Sequence, residues 1–128
     1  MFHYTVETDQ TMEEAIQSLE KSLKEDKFGV LWQFDLKETL NNKGFEFEQP
    51  YRVLEVCNPL EAQRILTKNQ MVGYFLPCKI VVYEADGKVK IGMPKPTALI
   101  ELAEDDALMD IARDVENKLI HAIDKSIK

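Results

Sequence analysis

The residues whose types could support chemistry lie at two junctions between predicted elements. The two cysteines of the sequence, Cys57 and Cys78, stand at the ends of apolar segments, and Asn58 directly follows Cys57. Asn58 is a favoured helix N-cap residue, so Cys57 would lie beside the free N–H groups of a helix N-terminus. These groups and the helix dipole stabilise an anion, and a thiolate held there would be nucleophilic. Cys57, helped by Cys78, is therefore a candidate for sulfur transfer or redox sensing.

A structural interpretation of both cysteines competes with the reactive one. Free cysteine is among the most buried residue types, so Cys57 can simply pack beneath the helix. This frequent burial of free cysteines favours the structural interpretation. Cys78 follows Pro77. In a strand, alternate residues face the same side, so Cys78 is predicted to point into the core together with Ile80 and Val82. A disulfide would need the two Cα atoms within roughly 7 Å. The sequence leaves open whether both sulfurs lie on the same face of the sheet.

Glu55 is a charged residue in the apolar run that precedes Cys57. A carboxylate buried without a partner is costly and would protonate. We therefore expect Glu55 to face solvent, to pair with Arg52, Arg64 or a lysine, or to line a cleft as an acid, and an exposed or paired carboxylate is favoured. No residue is assigned a catalytic role, and the candidate binding or reactive residues are Cys57, Asn58, Glu55 and Cys78.

The sequence predicts neither a metal nor a cofactor. It contains no phosphate loop, dinucleotide glycine pattern, nucleophile elbow or His-Glu metal motif. Only His3 and His121 could join the cysteines as zinc ligands, and the close ligand spacing of structural zinc sites is missing. Whether the protein is an enzyme stays open.

Length and charge limit the classes of partner. The chain has 128 residues, which is the size of one domain, and a formal net charge of −7. That charge, with no basic stripe, argues against nucleic acid and against an anionic membrane surface. No apolar run approaches the ~20 residues that span a bilayer, and the N-terminus lacks a signal-peptide pattern. With only two cysteines, the expected location is the reducing cytoplasm.

Hydrophobic periodicity predicts the elements that must position these residues. The predicted order is β-α-β-α-β-α-β-β-α in a single domain, residues 1–128. A capping box at Thr11 and Glu14 opens the first helix, and Asp86-Gly87 marks a tight hairpin. The main predicted segments are strands at 2–7, 28–34, 51–57, 80–83 and 88–93. The predicted helices span 12–25, 35–40 and 105–126, a further helix begins at Pro59 after the Asn58 cap, and residues 71–75 lead into the fourth strand. The predicted fold class is α+β, with a mixed five-stranded sheet and two long helices on one face.

The second face of this predicted sheet is partly apolar. Leu31, Tyr51 and Val53 share it with Gln33 and Glu55. Because two long helices can cover only one face, the other would be a dimer surface or a cleft. The sequence therefore predicts a homodimeric binding module for a small molecule or a partner protein. The thiol-dependent function of Cys57 is the alternative, and a structural subunit of a larger assembly is a third interpretation.

Three segments carry a family resemblance. They are the strand Phe2–Thr8 before the first helix, the junction Val56-Cys57-Asn58-Pro59, and Leu76-Pro77-Cys78 before the last hairpin. In these segments, and in order and spacing over nearly the whole chain, the sequence resembles the bacterial and archaeal domain-of-unknown-function family 302. The resemblance implies an α+β domain with a TATA-binding-protein-like fold, a likeness of fold only, and a homodimeric assembly. The family has no established activity, so the resemblance implies no catalytic residue.

Overall fold

Five strands and five α-helices make up the chain in a computed structural model that describes all 128 residues. The strands are β1 His3–Thr8, β2 Gly29–Asp35, β3 Tyr51–Cys57, β4 Cys78–Ala85 and β5 Lys88–Pro94. The α-helices are α1 Met12–Glu25, α2 Leu36–Asn42, α3 Pro59–Lys68, α4 Pro96–Glu101 and α5 Met109–Ser126, and 3₁₀ helices span Gln70–Phe75 and Asp106–Leu108. The predicted α+β class is confirmed. No helix is both long enough and apolar enough to cross a membrane.

The five strands form one sheet in the order β1-β5-β4-β3-β2, and every neighbouring pair is antiparallel. The sheet is thus wholly antiparallel and not mixed as the sequence suggested. The physical reason is the path of α1, which carries the chain from one edge of the sheet to the other. β1 and β2 run in the same direction, but they lie at opposite edges and never pair.

The two long helices, α1 and α5, pack on the same face of this sheet, as predicted. Thr11 Oγ1 accepts a hydrogen bond from the Glu14 N–H at 3.1 Å, and Glu14 Oε1 accepts one from the Thr11 N–H at 2.9 Å, so the predicted capping box starts α1. The helices and the covered face together bury a main core of 15 residues: Ala15, Ile16, Leu19, Leu23, Phe28, Leu54, Val56, Ile80, Val82, Val89, Ile91, Met93, Leu119, Ala122 and Ile123.

An irregularity in β2 changes which side chains lie on the uncovered face. The register of β2 against β3 shifts between Val30 and Trp32, and Gln33 then lies opposite Leu54, on the face covered by the helices. The expectation that Gln33 shares a face with Glu55 is therefore wrong. A bulge adds one residue to a strand, so every side chain after it points to the opposite face of the sheet from the one expected. Trp32 and Phe34 take the outer positions instead.

Two connections flank β4. The predicted two-residue turn joins β4 to β5, with Asp86 at φ 55° and Gly87 at φ 76°, both in the left-handed region that such hairpins need. Before β4, residues Gln70–Phe75 form a 3₁₀ helix and not the start of the strand. Asn69 causes this difference, because its side chain accepts a hydrogen bond from the Met71 N–H at 3.0 Å and starts a helical turn.

A second, smaller core lies beyond one end of the sheet, where α3, α4 and α5 meet. Its six buried residues are Ile65, Val72, Ile100, Leu108, Ile111 and Ala112. Val115 of α5 packs against both cores and joins them. The protein thus has two apolar clusters, and the boundary between them lies beside the end of β3 and the start of β4.

Gly92 has the least room for a side chain of the five glycines, which leads to a stability prediction. A Cβ atom at Gly92 would lie 2.9 Å from Thr5 Oγ1, below any normal contact, and that hydroxyl is hydrogen bonded to His3 Nδ1 at 2.8 Å. We expect Gly92→Ala to lower the free energy of unfolding by about 1–3 kcal/mol, the usual cost of overpacking. Urea denaturation followed by circular dichroism measures this change.

Thr5→Ala supplies the matched background for this test. It removes the hydroxyl and, since Thr5 is exposed, should itself shift stability by no more than about 0.5 kcal/mol. In the Thr5→Ala background we expect Gly92→Ala to lower the free energy of unfolding much less, because the hydroxyl that it would clash with is absent. An equal loss in both backgrounds would contradict the clash as the cause.

Candidate functional site

A cavity of about 300 Å³ lies at the boundary between the two cores. Of the 22 residues that line it, 16 are hydrophobic, so its interior favours apolar matter. Apolar side chains come from the sheet, from α3, α4 and α5, and from the 3₁₀ helix Gln70–Phe75. They include Val56, Met93, Ala62, Ile65, Val72, Leu99, Ile100, Ala112, Val115 and Leu119. Tyr74, which is 85% exposed, stands at its rim. The cavity therefore opens near the 3₁₀ helix.

The junction between β3 and α3 explains why the cavity forms there. Asn58 Oδ1 accepts a hydrogen bond from the Glu61 N–H at 3.3 Å, and Pro59 occupies the first helical position, which needs no N–H donor. The helix thus begins directly where the strand ends. Since α3 then packs with the smaller core beyond the sheet, it leaves space between itself and the end of the sheet.

The sequence placed Cys57, Asn58 and Cys78 among its candidates, and the fold brings all three to this cavity. Val56 pairs with Cys78 across β3 and β4, so Cys57 and Cys78 are on neighbouring strands. Both are free thiols. Cys78 packs against the main core, in agreement with its parity in the sequence.

The environment of Cys78 suppresses its ionisation. Burial, and secondarily the nearby Cys57, raise the pKa of the Cys78 thiol to about 11. The nucleophilic form of cysteine is the thiolate, so Cys78 is almost wholly in its unreactive form at neutral pH. Cys78 therefore behaves here as part of the apolar wall.

Glu55, the fourth candidate, does not line the cavity. It lies opposite Lys79 in the sheet register, and its Oε1 atom is 3.5 Å from Lys79 Nζ. Strand parity directs Glu55 to the uncovered face, whereas Leu54 and Val56 face the core. Of the interpretations left open by the sequence, the structure thus supports the carboxylate paired with a lysine.

Glu61 is a cavity residue that sequence reasoning missed. It is 4% exposed, and Arg64 Nη1 donates to its two carboxylate oxygens at 2.8 and 3.0 Å. Lys118 Nζ of α5 lies 3.6 Å from Oε1. A carboxylate this buried requires such partners. The three-residue spacing from Glu61 to Arg64 was a visible signal, but the contribution of Lys118 requires the tertiary fold.

Only three strongly polar side chains line the cavity: Asn58, Glu61 and Lys79. The Lys79 ammonium pairs with Glu55 on the far side of the sheet, so its charge is already partnered. No group of three or more His, Cys, Asp or Glu residues is arranged to hold a metal ion. The arrangement is an apolar chamber with a few fixed polar groups, which is the usual form of a small-molecule site.

Comparison with known proteins identifies the family. Residues 4–126 match the family described as a domain of unknown function, DUF302. The crystal structure of an uncharacterized conserved protein DUF302 from Bacillus stearothermophilus covers 98% of both chains with 54% sequence identity and a TM-score of 0.97. No curated protein matches the sequence. The predicted family resemblance is thereby confirmed, and this chain belongs to the DUF302 family.

Proposed function

We propose that this protein is a homodimeric binding module that holds a small, largely apolar molecule in the cavity at the end of the sheet. The observation that carries the proposal is an apolar chamber of about 300 Å³. An apolar protein cavity of about 150 Å³ binds benzene, so twice that volume suits a ligand of roughly twelve non-hydrogen atoms. Chambers of this size are at the lower end of the range for small-molecule sites.

The size of the cavity argues against a simple packing defect. Protein interiors are close-packed and contain few voids larger than a water molecule. Apolar walls that are left without contacts lower stability, as cavity-forming core substitutions show. A ligand that fills the chamber would offset this cost.

The uncovered face of the sheet supports the dimeric part of the proposal. The two long helices pack on the opposite face, and Trp32 on this one is 53% exposed. Trp32 stacks on Phe34 with ring centroids 5.2 Å apart, and Tyr51 lies 5.5 Å from Tyr83. Residues of this kind are enriched in protein interfaces. We call this surface the open face, and its apolar centre comprises Trp32, Phe34, Tyr51, Val53, Val81 and Tyr83.

The charges of the open face favour a second copy of the chain as its partner. Two ion pairs on this face, Glu55 with Lys79 at 3.5 Å and Glu7 with Lys90 at 3.7 Å, are each neutral as a pair. The whole chain carries −7, so two copies would repel on most approaches. Two copies that meet through this face do not repel, because its ion pairs carry no net charge. A two-fold axis can place each acidic residue of one copy opposite a basic residue of the other. We include a cytoplasmic location in the proposal, because free thiols persist in reducing compartments.

A thiol-dependent function is the second candidate. The observation that favours it is that Cys57 and Cys78 line the same cavity. The raised pKa of Cys78 weighs against that residue as the nucleophile. In this alternative, Cys57 is the reactive sulfur and the apolar chamber holds the molecule with which it reacts.

Filling the cavity should abolish ligand binding. Ala62 lines the chamber from α3, and we expect Ala62→Leu to weaken binding of butylbenzene at least tenfold, because the added methyl groups occupy the space of the probe. Methyl chemical shifts of Val115 and Leu119 report the binding in an NMR titration. Ala98→Leu is the control, since Ala98 is a half-buried helical alanine outside the cavity. A wild-type protein that shows no shift with butylbenzene contradicts the binding function.

A charge at the centre of the open face should separate the dimer. Val81 lies between Val53 and Gly92 in the sheet register, and we expect Val81→Lys to give a monomer, since two buried ammonium groups would face each other. Size-exclusion chromatography with light scattering should give about twice the chain mass of 14.8 kDa for the wild type. Gln17→Lys on the exposed side of α1 controls for the change in charge. A wild type that stays monomeric at high concentration would remove the dimer from the proposal.

Alkylation with iodoacetamide tests the thiol function. In the folded protein we expect Cys78 to react slowly at pH 7 and about tenfold faster for each pH unit up to about 11, because only the thiolate reacts. In urea the same residue should titrate near its ordinary value of 9.0. Mass spectrometry of peptides separates Cys57 from Cys78. If both cysteines stay unlabelled at pH 7 and react only on unfolding, the thiol function is excluded.

A further inference from the structure

Asn58 is a buried polar residue with one unused hydrogen-bonding group. It is 8% exposed, and its Oδ1 atom is fixed by the capping hydrogen bond from the Glu61 N–H. That bond also fixes which end of the side-chain amide is the nitrogen, since an N–H can donate only to the oxygen. The Nδ2 atom, which carries two donor hydrogens, donates to no group of the protein. Polar groups this buried are normally hydrogen bonded.

The free Nδ2 donor of Asn58 is reachable from open space. Every side-chain nitrogen or oxygen that is sealed from accessible space has a partner, so unpartnered Nδ2 must adjoin open space. Asn58 lines the cavity and is only 8% exposed as a whole. We therefore take the cavity to be the open space that Nδ2 adjoins, so that it offers a ligand one unsatisfied hydrogen-bond donor held in place by the helix cap.

The charges around the cavity are already neutralised in pairs. Arg64 Nη1 binds Glu61 and also lies 3.6 Å from Asp114, and Lys118 lies 3.6 Å from Glu61. Lys79 is engaged by Glu55. An anionic head group would bring a second negative charge beside Glu61 in an apolar space, which is unfavourable. A cationic head group would find no free acceptor, because both Glu61 oxygens already accept from Arg64 and Asn58 presents a donor.

From these observations we infer that the cavity selects a neutral ligand whose apolar body ends in a carbonyl oxygen, and that Asn58 Nδ2 donates a hydrogen bond to this oxygen. The inference rests on the proposed binding function and specifies its ligand class. The apolar walls hold the body, and the free Nδ2 donor of Asn58 binds the head. Asn58 is thus a specificity-determining residue as well as the cap of α3.

Three probes with the same alkyl chain and different head groups test this selection. Octanamide is neutral with a carbonyl oxygen, octanoate is an anion at pH 7.5, and octylammonium is a cation. We expect octanamide to bind at least tenfold more tightly than either ion, because burying an unpaired polar or charged group costs at least that much. Methyl shifts of Val72, Val115 and Leu119, which line the cavity, give the dissociation constants.

Two substitutions separate the head-group role of Asn58 from its capping role. Asn58→Asp keeps shape and cap but replaces the donor by an acceptor, so octanamide should weaken at least tenfold and octylammonium should bind more tightly. Asn58→Ser keeps the cap but removes the Nδ2 amide, and its hydroxyl ends one atom closer to the main chain, so this variant should weaken octanamide alone. Asn41→Asp is the matched control, because Asn41 Oδ1 also accepts a backbone N–H, from Phe47 at 3.1 Å, away from the cavity. Circular dichroism checks the fold of each variant.

The outcomes distinguish the inference from the function on which it rests. If the wild type prefers octanamide and Asn58→Asp prefers octylammonium, the result supports both the selection of a carbonyl group and the binding function. Equal binding of the three probes, unchanged in Asn58→Asp and Asn58→Ser, overturns the selection of a carbonyl group and leaves the binding function standing. If neither these probes nor butylbenzene shift the cavity methyl resonances, the binding function itself is overturned.

Discussion

The hydrogen bond from the Glu61 N–H to Asn58 Oδ1 determines how the rest of the molecule is arranged. It starts α3 at the last residue of β3, and a helix that starts there must leave the sheet. The smaller core then forms beyond the sheet, and the cavity remains between the two cores. The same bond occupies one end of the Asn58 side chain, which leaves the other end free. In the proposed role, Asn58 thus combines a structural cap with a binding group, because an amide has both an acceptor and a donor.

Charge pairing decides what this cavity can hold. The protein carries −7 overall, yet each charged group near the cavity has an oppositely charged neighbour, and the most buried carboxylate, Glu61, has two. An unpaired charge in an apolar space is costly, so the fold places cations around Glu61 and sends Glu55 to the opposite face. The remaining interior is apolar with a neutral donor. This is the physical basis for preferring a neutral ligand over an acid or an amine.

The sheet has two faces and only two long helices. Both helices pack on one face, because α1 crosses the whole sheet there and α5 packs beside it. The opposite face keeps an aromatic and aliphatic centre between two balanced ion pairs. Thus the cavity lies at an end of the sheet and the proposed dimer surface on its open face. A ligand could enter beside Tyr74 without separation of the subunits.

The sequence by itself determined most of the elements, because their signals come from near neighbours in the chain. The Thr11–Glu14 capping box, the Asn58-Pro59 helix start and the Asp86-Gly87 turn each depend on residues within four positions, and all three occur as predicted. The cysteine junctions likewise indicated the family.

Tertiary structure alone decided the strand order, which depends on how far α1 carries the chain. It also decided the facing of Gln33, which a single bulge reversed, and the pairing of Glu61 with Lys118 across 57 positions of sequence. The convergence of Cys57, Asn58 and Cys78 on one cavity is a fact of the same kind, since it requires the register of β3 against β4. Such contacts depend on the packing of the whole chain, which no local pattern encodes.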